Sequence, residues 1–286
     1  MNSNKKPYLS CIDYTVSNKK FDLIYNAKLD MLETFPQPKV EELGSYYQSS
    51  DYISHTDAKK SLIDKVYQIV KKYALNRKLK LINSFNTSEN NLLDIGCGTG
   101  DFLVTCKSNG WNVVGVEPNN NAKKLAESKL NRQSTSTIFS DIDQLTSEKF
   151  DVITLWHVLE HVPNLELYIS KLKSLLKPNG VLVIAVPNFK SFDALYYKQY
   201  WAAFDVPRHL WHFSQTAIQK LFSKQEMDLV KILPMKFDSY YVSLLSEKYK
   251  TSRSNFIKAF YVGFKSNLKA MSSKEYSSLI YVLKNS

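Results

Sequence analysis

A chain of 286 residues with 44% hydrophobic and 23% charged side chains fits one large domain, or a core domain with additions, and can bury a substantial core. No stretch approaches the ~18 apolar residues of a spanning helix, and the N-terminus MNSNKKPYLSC lacks the apolar core of a signal peptide. The three cysteines (Cys11, Cys97, Cys106) have neither metal-ligand spacing nor a disulfide framework, so a soluble protein of a reducing cytoplasm is expected, without a bound metal. The formal charge is +11, a balance that suits nucleic acid or an anionic substrate. The lysines are scattered over helix faces, however, as at Lys71-Lys72, Lys78, Lys80 and Lys123-Lys124. The solvated-surface reading is favoured over a nucleic-acid partner, and the oligomeric state is left open.

Residues 1–55 read as a leader outside the main sheet. Phe21 to Tyr25 alternates weakly, Pro36-Gln37-Pro38 breaks the chain, and Tyr46-Tyr47 and Tyr52 follow. The rest, 56–286, reads as one catalytic domain. Asp57 to about Ile82 is expected to be helical, with N-cap oxygens at Ser54, Thr56 and Asp57 and apolar residues Leu62, Val66, Ile69, Val70 and Tyr73 at helical spacing.

The next stretch organises the chain. Leu92-Leu93-Asp94-Ile95 is a buried strand that runs into Gly96-Cys97-Gly98-Thr99-Gly100. A helix follows, with Phe102, Leu103 and Cys106 on one face. A second strand, Val113 to Val116, ends in Glu117-Pro118. This is one βαβ unit of the kind that holds a nucleotide-like cofactor. Glycines let the loop take positive φ and approach a ligand, helix N–H groups point into that space, and an acid at the second strand tip can accept both ribose hydroxyls. The glycine pattern is G-x-G-x-G and not the G-x-G-x-x-G of dinucleotide sites. Asp101 stands where a diphosphate would dock, a like-charge clash that a cationic sulfonium with an amino-acid moiety tolerates.

The D-I-G-C-G-T-G run resembles motif I of the class I S-adenosylmethionine (SAM) methyltransferases. The resemblance implies that Asp94, Gly96, Cys97, Gly98 and Gly100 surround the methionine part of SAM and that Glu117, followed by Pro118, holds the ribose. After a third strand at Thr137 to Ser140, Asp141-Ile142 would read the adenine, the carboxylate taking the exocyclic amine and the isoleucine packing on the ring. The fourth strand, Phe150 to Leu155, enters W-H-V-L-E-H-V, which resembles the post-strand motif of the group that includes quinone-biosynthesis methylases. There Trp156 and His157 would line the methionine end of SAM, and His161 would face the substrate. The leader's P-x-P…Y-Y…Y arrangement resembles one that in many relatives opens with a zinc ribbon; here the paired cysteines are missing.

A helix, Leu165 to Leu176, and a fifth strand, Val181 to Val186, complete the core. Residues 189–213 form an aromatic loop expected to hang over the carboxyl edge of the sheet as a substrate wall, with Trp201 and Arg208 as substrate contacts. The run from Arg208 to Ser214 resembles a family segment R-H-x-x-x-F-[ST] in which Ser214 caps a helix. Residues 238–271 read as a helical insert that could extend the pocket, form a dimer face or touch a membrane surface. Ser278 to Leu283 is a last strand. The expected fold is an α/β, Rossmann-like doubly wound seven-stranded sheet, mostly parallel with an antiparallel last strand, plus the leader and the helical insert.

Transfer from SAM is an in-line displacement, so alignment dominates, and a hydroxyl acceptor gains from a base. His161 is the first candidate base and His209 the second, since an imidazole titrates near neutrality. N-P-P-Y and D-P-P-Y runs are missing after strand four, which disfavours base methylation. The expectation is methyl transfer to a small-molecule oxygen or carbon acceptor, quinone-like or sugar-like. RNA or tRNA methylation, a non-catalytic SAM-fold subunit and a nicotinamide oxidoreductase are the alternatives.

Overall fold

The computed structural model describes residues 6–47, 62–130, 137–253 and 255–286, and no side chain of 62–67. The proposed N-caps at Ser54, Thr56 and Asp57 lie outside the described residues, as do Asp51 and Tyr52. Two sheets are present. The larger has seven strands in the order β10-β11-β8-β7-β4-β5-β6. Here β4 is Asn91–Ile95, β5 Asn112–Val116, β6 Thr137–Phe139, β7 Phe150–Trp156, β8 Leu176–Pro187, β10 Met227–Pro234 and β11 Ser278–Asn285. The inner pairs are parallel: Asp94 lies opposite Gly115 on one side and Thr154 on the other, and Gly115 pairs with Ile138. The order reverses at β4, which puts a topological switch point at its carboxyl end. The last strand, β11, sits between β8 and β10, the slot expected for it.

The smaller sheet is antiparallel and was not foreseen. The leader folds into β1 (Leu9–Ile12), β2 (Lys20–Asn26) and β3 (Met31–Phe35), and β9 (Trp211–His212) joins the edge of β3. The β1–β2 turn is tied by Asp13, whose carboxylate accepts N–H bonds from Thr15, Val16 and Ser17 and the hydroxyls of Thr15 and Ser17. These bonds hold the Asp13 carboxyl below its usual range although its burial works the other way.

The helices are α1 (Val40–Leu43), α2 (Leu62–Asn83), α3 (Asp101–Lys107), α4 (Asn120–Leu130), α5 (Leu165–Leu175), α6 (Phe192–Tyr197), α7 (Gln215–Ser223), α8 (Asp238–Thr251) and α9 (Phe256–Ser273). Ser214 caps α7 through a bond from the Ala217 N–H, as its place in the sequence predicts. The fifth strand starts earlier than Val181: the run Lys177 to Gly180 is already part of β8, and Lys177 pairs with Asp151 and Glu89, which fastens the strand start.

Packing groups the chain into two compact units. One comprises 50–156, 169–184 and 282–286, with a core of Leu92, Leu93, Val152, Ile153, Leu155, Leu182 and Val183. The other comprises 1–49, 157–168 and 185–281. In it Cys11, Phe21, Leu23 and Leu32 of the leader pack with Phe189, Tyr197, Trp201, Phe204, Val242 and Val262. Each large side chain so buried contributes about 1.5–3 kcal/mol. The leader therefore shares a core with the aromatic loop and with α8 and α9.

Candidate active site

In the first unit the glycine loop follows β4 directly. Gly96, Gly98 and Gly100 all have positive φ, and Gly100 is the N-cap of α3. A Cβ on Gly100 would lie 2.8 Å from the Ala126 methyl, so this glycine lets α3 pack on α4. A Cβ on Gly98 would meet nothing within 4 Å, so the loop opens onto free space there. Asp94 is 2% exposed and accepts a bond from the Thr154 hydroxyl at 2.6 Å. Burial pushes its carboxyl up to about 7, against the pull of Thr154 and Lys78, with Glu117 adding to the rise. Glu117 is also buried; its two oxygens accept the Gly98 and Asn119 N–H groups, each at 2.8 Å, and burial raises it. Its carboxylate thus ties the tip of β5 to the glycine loop, and Pro118, the next residue, is exposed.

Four further side chains around the loop have well-defined settings. Asp101 is neutralised by Lys71 at 2.7 Å and Lys129 at 2.8 Å, so the clash with a diphosphate is weaker than its charge suggests; the argument against a dinucleotide rests on glycine spacing. The Cys97 thiol is buried, and a Cβ on Gly115 would lie 2.8 Å from it, so only its backbone is left for a ligand. Asp141 is exposed and caps a short 3-10 turn by accepting the Asp143 N–H, beside buried Ile142. Trp156 ends β7 under the Lys78 ammonium, 4.2 Å from its ring centre, with Phe102 edge-on at 5.8 Å; its indole N–H is buried without a partner.

The second unit holds the histidines. His157 stands at φ 58°, a left-handed conformation rare for a side-chain-bearing residue, and its N–H bonds to the Ala185 carbonyl. The chain then turns through Leu159–His161. Residues 208–212 zip onto this turn: the Leu210 N–H bonds to the Glu160 carbonyl and the Trp211 indole N–H to that of Val162. This pairing brings His161 and His209 together, ring centres 4.5 Å apart and edge to face.

Glu160, which sequence reasoning passed over, is the hub. It is 1% exposed, and among the described residues neither oxygen has a hydrogen-bond partner. The His157 Nδ1 is 3.4 Å from Oε1 and the His209 Nε2 4.0 Å. Burial opposes the Glu160 charge, yet the His157 imidazolium beside it holds the carboxyl below its usual range. His157 loses stabilisation by burial, but Asp238, 3.1 Å from Nε2, and Glu160 raise it to about 10. The pair His157–Glu160 is then an ion pair. His209 is driven well below its ordinary value by burial and by His161, and stays neutral. Its Nδ1 is 2.9 Å from the Ala203 carbonyl, which only accepts, so Nδ1 carries the proton. The same logic applies to His161, whose Nδ1 is 3.0 Å from the Arg208 carbonyl and 2.9 Å from the Tyr47 hydroxyl. Its Nε2 is the lone-pair nitrogen. Glu160, His161 and His209 each present one donor atom, all within 4.8 Å of one another, the set among the described residues that could hold a metal ion. The His157 cation already supplies Glu160 with its counter-charge.

Two expected substrate contacts are corrected. Trp201 is 2% exposed, and its indole N–H bonds to buried Asp193 at 2.8 Å; it is core and not wall. Arg208 spends its guanidinium on Asp205, at 2.6 and 3.2 Å, and presents its carbonyl to His161. Phe189, Tyr197 and Phe204 are buried as well, so most of the aromatic loop is packing. Lys78 beside Trp156 in the first unit, and Tyr47 and Asp238 beside the histidines in the second, are neighbours that no local pattern in the sequence announces, because each arrives from a distant element.

The methyltransferase domain family matches residues 67–232, more than half of the chain. The chain belongs to this family. Its methyltransferase fold is also that of solved structures. A magnesium protoporphyrin IX methyltransferase from Synechocystis, solved with S-adenosylhomocysteine (SAH) bound, superimposes with a TM-score of 0.57 at 16% identity, over 86% of this chain and 100% of that one. Phosphoethanolamine N-methyltransferase 2 of Haemonchus contortus, solved with SAM, gives 0.56 at 16%, over 94% and 70%. Among curated proteins, ubiquinone biosynthesis O-methyltransferases are similar. That of Rhodopseudomonas palustris is 32% identical over 110 residues, 35% of this chain and 42% of the relative. That of Rickettsia conorii is 28% identical over 166 residues, 52% and 57%. The chain thus spans about half the length of the curated relatives it matches.

Proposed function

We propose that this chain transfers the methyl group of SAM to an oxygen of a small-molecule acceptor. The observation that carries the reading is the loop around Asp94, Gly98 and Glu117. A buried carboxyl that accepts the Thr154 hydroxyl, open space over a positive-φ glycine, and a buried acid at the β5 tip fit a zwitterionic amino acid joined to a ribose. Asp94, Gly96 and the Cys97 backbone, with Gly98 and Gly100, would hold the methionine part. Glu117 and Pro118 would hold the ribose, Asp141 and Ile142 the adenine, and Trp156 and His157 the sulfur end. SAM supplies an electrophilic methyl; the protein's part is alignment and removal of a proton from the acceptor.

His161 is the base in this reading. Its Nε2 lone pair can take the acceptor's proton, the Arg208 carbonyl fixes the tautomer, and the Glu160 carboxylate stabilises the imidazolium that results. His209, buried and neutral, is the second candidate and holds the ring of His161 from the side. The ubiquinone-biosynthesis relatives support a hydroxylated ring as acceptor. Three free, buried cysteines support a reducing cytoplasm.

Calorimetric titration with SAH tests the cofactor site. Micromolar binding that Glu117→Ala removes is the expected result; no binding by folded wild-type protein would overturn the proposal. For the base, His161→Ala should leave SAH affinity unchanged and slow turnover about 10²–10⁴-fold on an acceptor found by screening hydroxylated rings. Unchanged turnover would take His161 out of the mechanism.

A further inference from the structure

Helix α9 carries an apolar surface that the methyl-transfer reading does not use. Ala259, Val262, Gly263, Ser266 and Ala270 are buried and form its inner side. At ~100° per residue these five fall within about 100° of arc. Phe256, Ile257, Phe260, Tyr261, Phe264, Leu268 and Met271 fall in a separate arc of about 140°. All seven are exposed, from 46% for Phe264 to 86% for Ile257. Isolated exposed apolar residues need no explanation, but seven in one contiguous arc, four of them aromatic, mark an interaction surface.

The chemistry of the rim identifies the partner. Lys258, Lys265 and Lys269 fall together between the two arcs, and no acid occurs from Asn255 to Lys274. Lys269 lies 4.5 Å over the ring of Phe192, and Lys265 lies over Phe192 and Tyr261 at 5.5 and 5.7 Å. Cation–π contact holds both ammonium groups on the aromatic flank of the exposed arc, which sets positive charge beside apolar surface as in a helix that lies on an anionic interface. A second copy of this face offers no carboxylate to meet these lysines. No helix among the described residues is long and apolar enough to cross a bilayer, so α9 would lie on the surface.

We propose that α9 docks this protein on an anionic phospholipid surface, with the arc from Phe256 to Met271 entering the interface and Lys265 and Lys269 at the headgroups. The inference rests on α9 alone and stands or falls separately from the methyl-transfer reading. Flotation with vesicles of phosphatidylcholine alone, or mixed equally with phosphatidylglycerol, tests it. Wild-type protein should float with the mixed vesicles and at least tenfold less with the neutral ones. Phe260→Ser with Phe264→Ser should cut binding tenfold or more while SAH titration and the melting temperature of the soluble protein stay unchanged. Lys265→Glu with Lys269→Glu should abolish the preference for anionic lipid. No flotation of wild-type protein would overturn the proposal. So would a concentration-dependent dimer, seen by light scattering, that the two serine substitutions dissolve.

Discussion

Asp94 shows how a single side chain can report its own ligand. In the protein alone its carboxyl is buried, and burial raises it to about 7. A bound ammonium would restore the ionised form, since an opposite charge nearby favours the carboxylate. SAH binding at pH 7 should therefore release up to about half a proton per site. Titrations in buffers of different ionisation heat would measure this, and Asp94→Asn should abolish it. Wild-type binding with no proton exchanged at pH 7 would mean that Asp94 does not face the ligand's ammonium. The residue itself was readable from the sequence, because D-I-G-C-G-T-G places an acid two residues before the first loop glycine. Its raised pKa was not, because the rise comes from burial by the folded chain, with Glu117 adding to it and Thr154 and Lys78 opposing it, and all of these arrive from other elements. Glu160 makes the same point: it lies between two histidines in W-H-V-L-E-H-V, but its isolation among three imidazoles exists only once residues 208–212 pair with that turn.

At the scale of elements, periodicity found the strands and helices of the large sheet because each buries a continuous run or stripe. It missed the leader sheet. Phe21 to Tyr25 alternates weakly, and β9 is two residues long, so its pairing with β3 is set by the fold and by Thr34, whose hydroxyl bonds to the His209 carbonyl and to His212. Aromatic spacing likewise could not tell a substrate wall from a core; Trp201 is settled by Asp193, which also accepts hydroxyl bonds from Ser266 of α9 and from Ser277. The helical insert joins that core through one close crossing. A Cβ on Gly263 would lie 2.8 Å from Tyr240 Cδ1 and 3.0 Å from the Ser239 carbonyl. Gly263→Leu should push α8 and α9 apart and destabilise the fold by about 1–3 kcal/mol in a denaturant titration. An unchanged midpoint would mean that this crossing carries little of the stability of its unit.

For the whole molecule, the histidines predict a bell-shaped dependence of stability on pH. His157 is held up at about 10 by Asp238 and Glu160 against the effect of burial. Its folded pKa exceeds the unfolded ~6.5, so its contribution is complete below about pH 6.5 and is lost as pH rises towards 10. His209 and His212 are shifted the other way; burial lowers His212 to about 3. The unfolded chain takes up their protons first, so their contribution is complete above about pH 6.5 and is lost as pH falls. The Asp94 carboxyl, raised in the fold, adds to the alkaline limb between about pH 4 and 7. The melting temperature should therefore peak near pH 6 and decline on both sides. Asp238→Asn removes the group that raises His157 most and should flatten the alkaline limb while leaving the acid limb unchanged. Saturating SAH, by favouring ionised Asp94, should lift the curve more at pH 7 than at pH 5. An alkaline limb that Asp238→Asn does not alter would show that His157 is not a cation in the folded protein, and the Glu160 carboxylate would then need another counter-charge, for which His161 and His209 are the groups in reach.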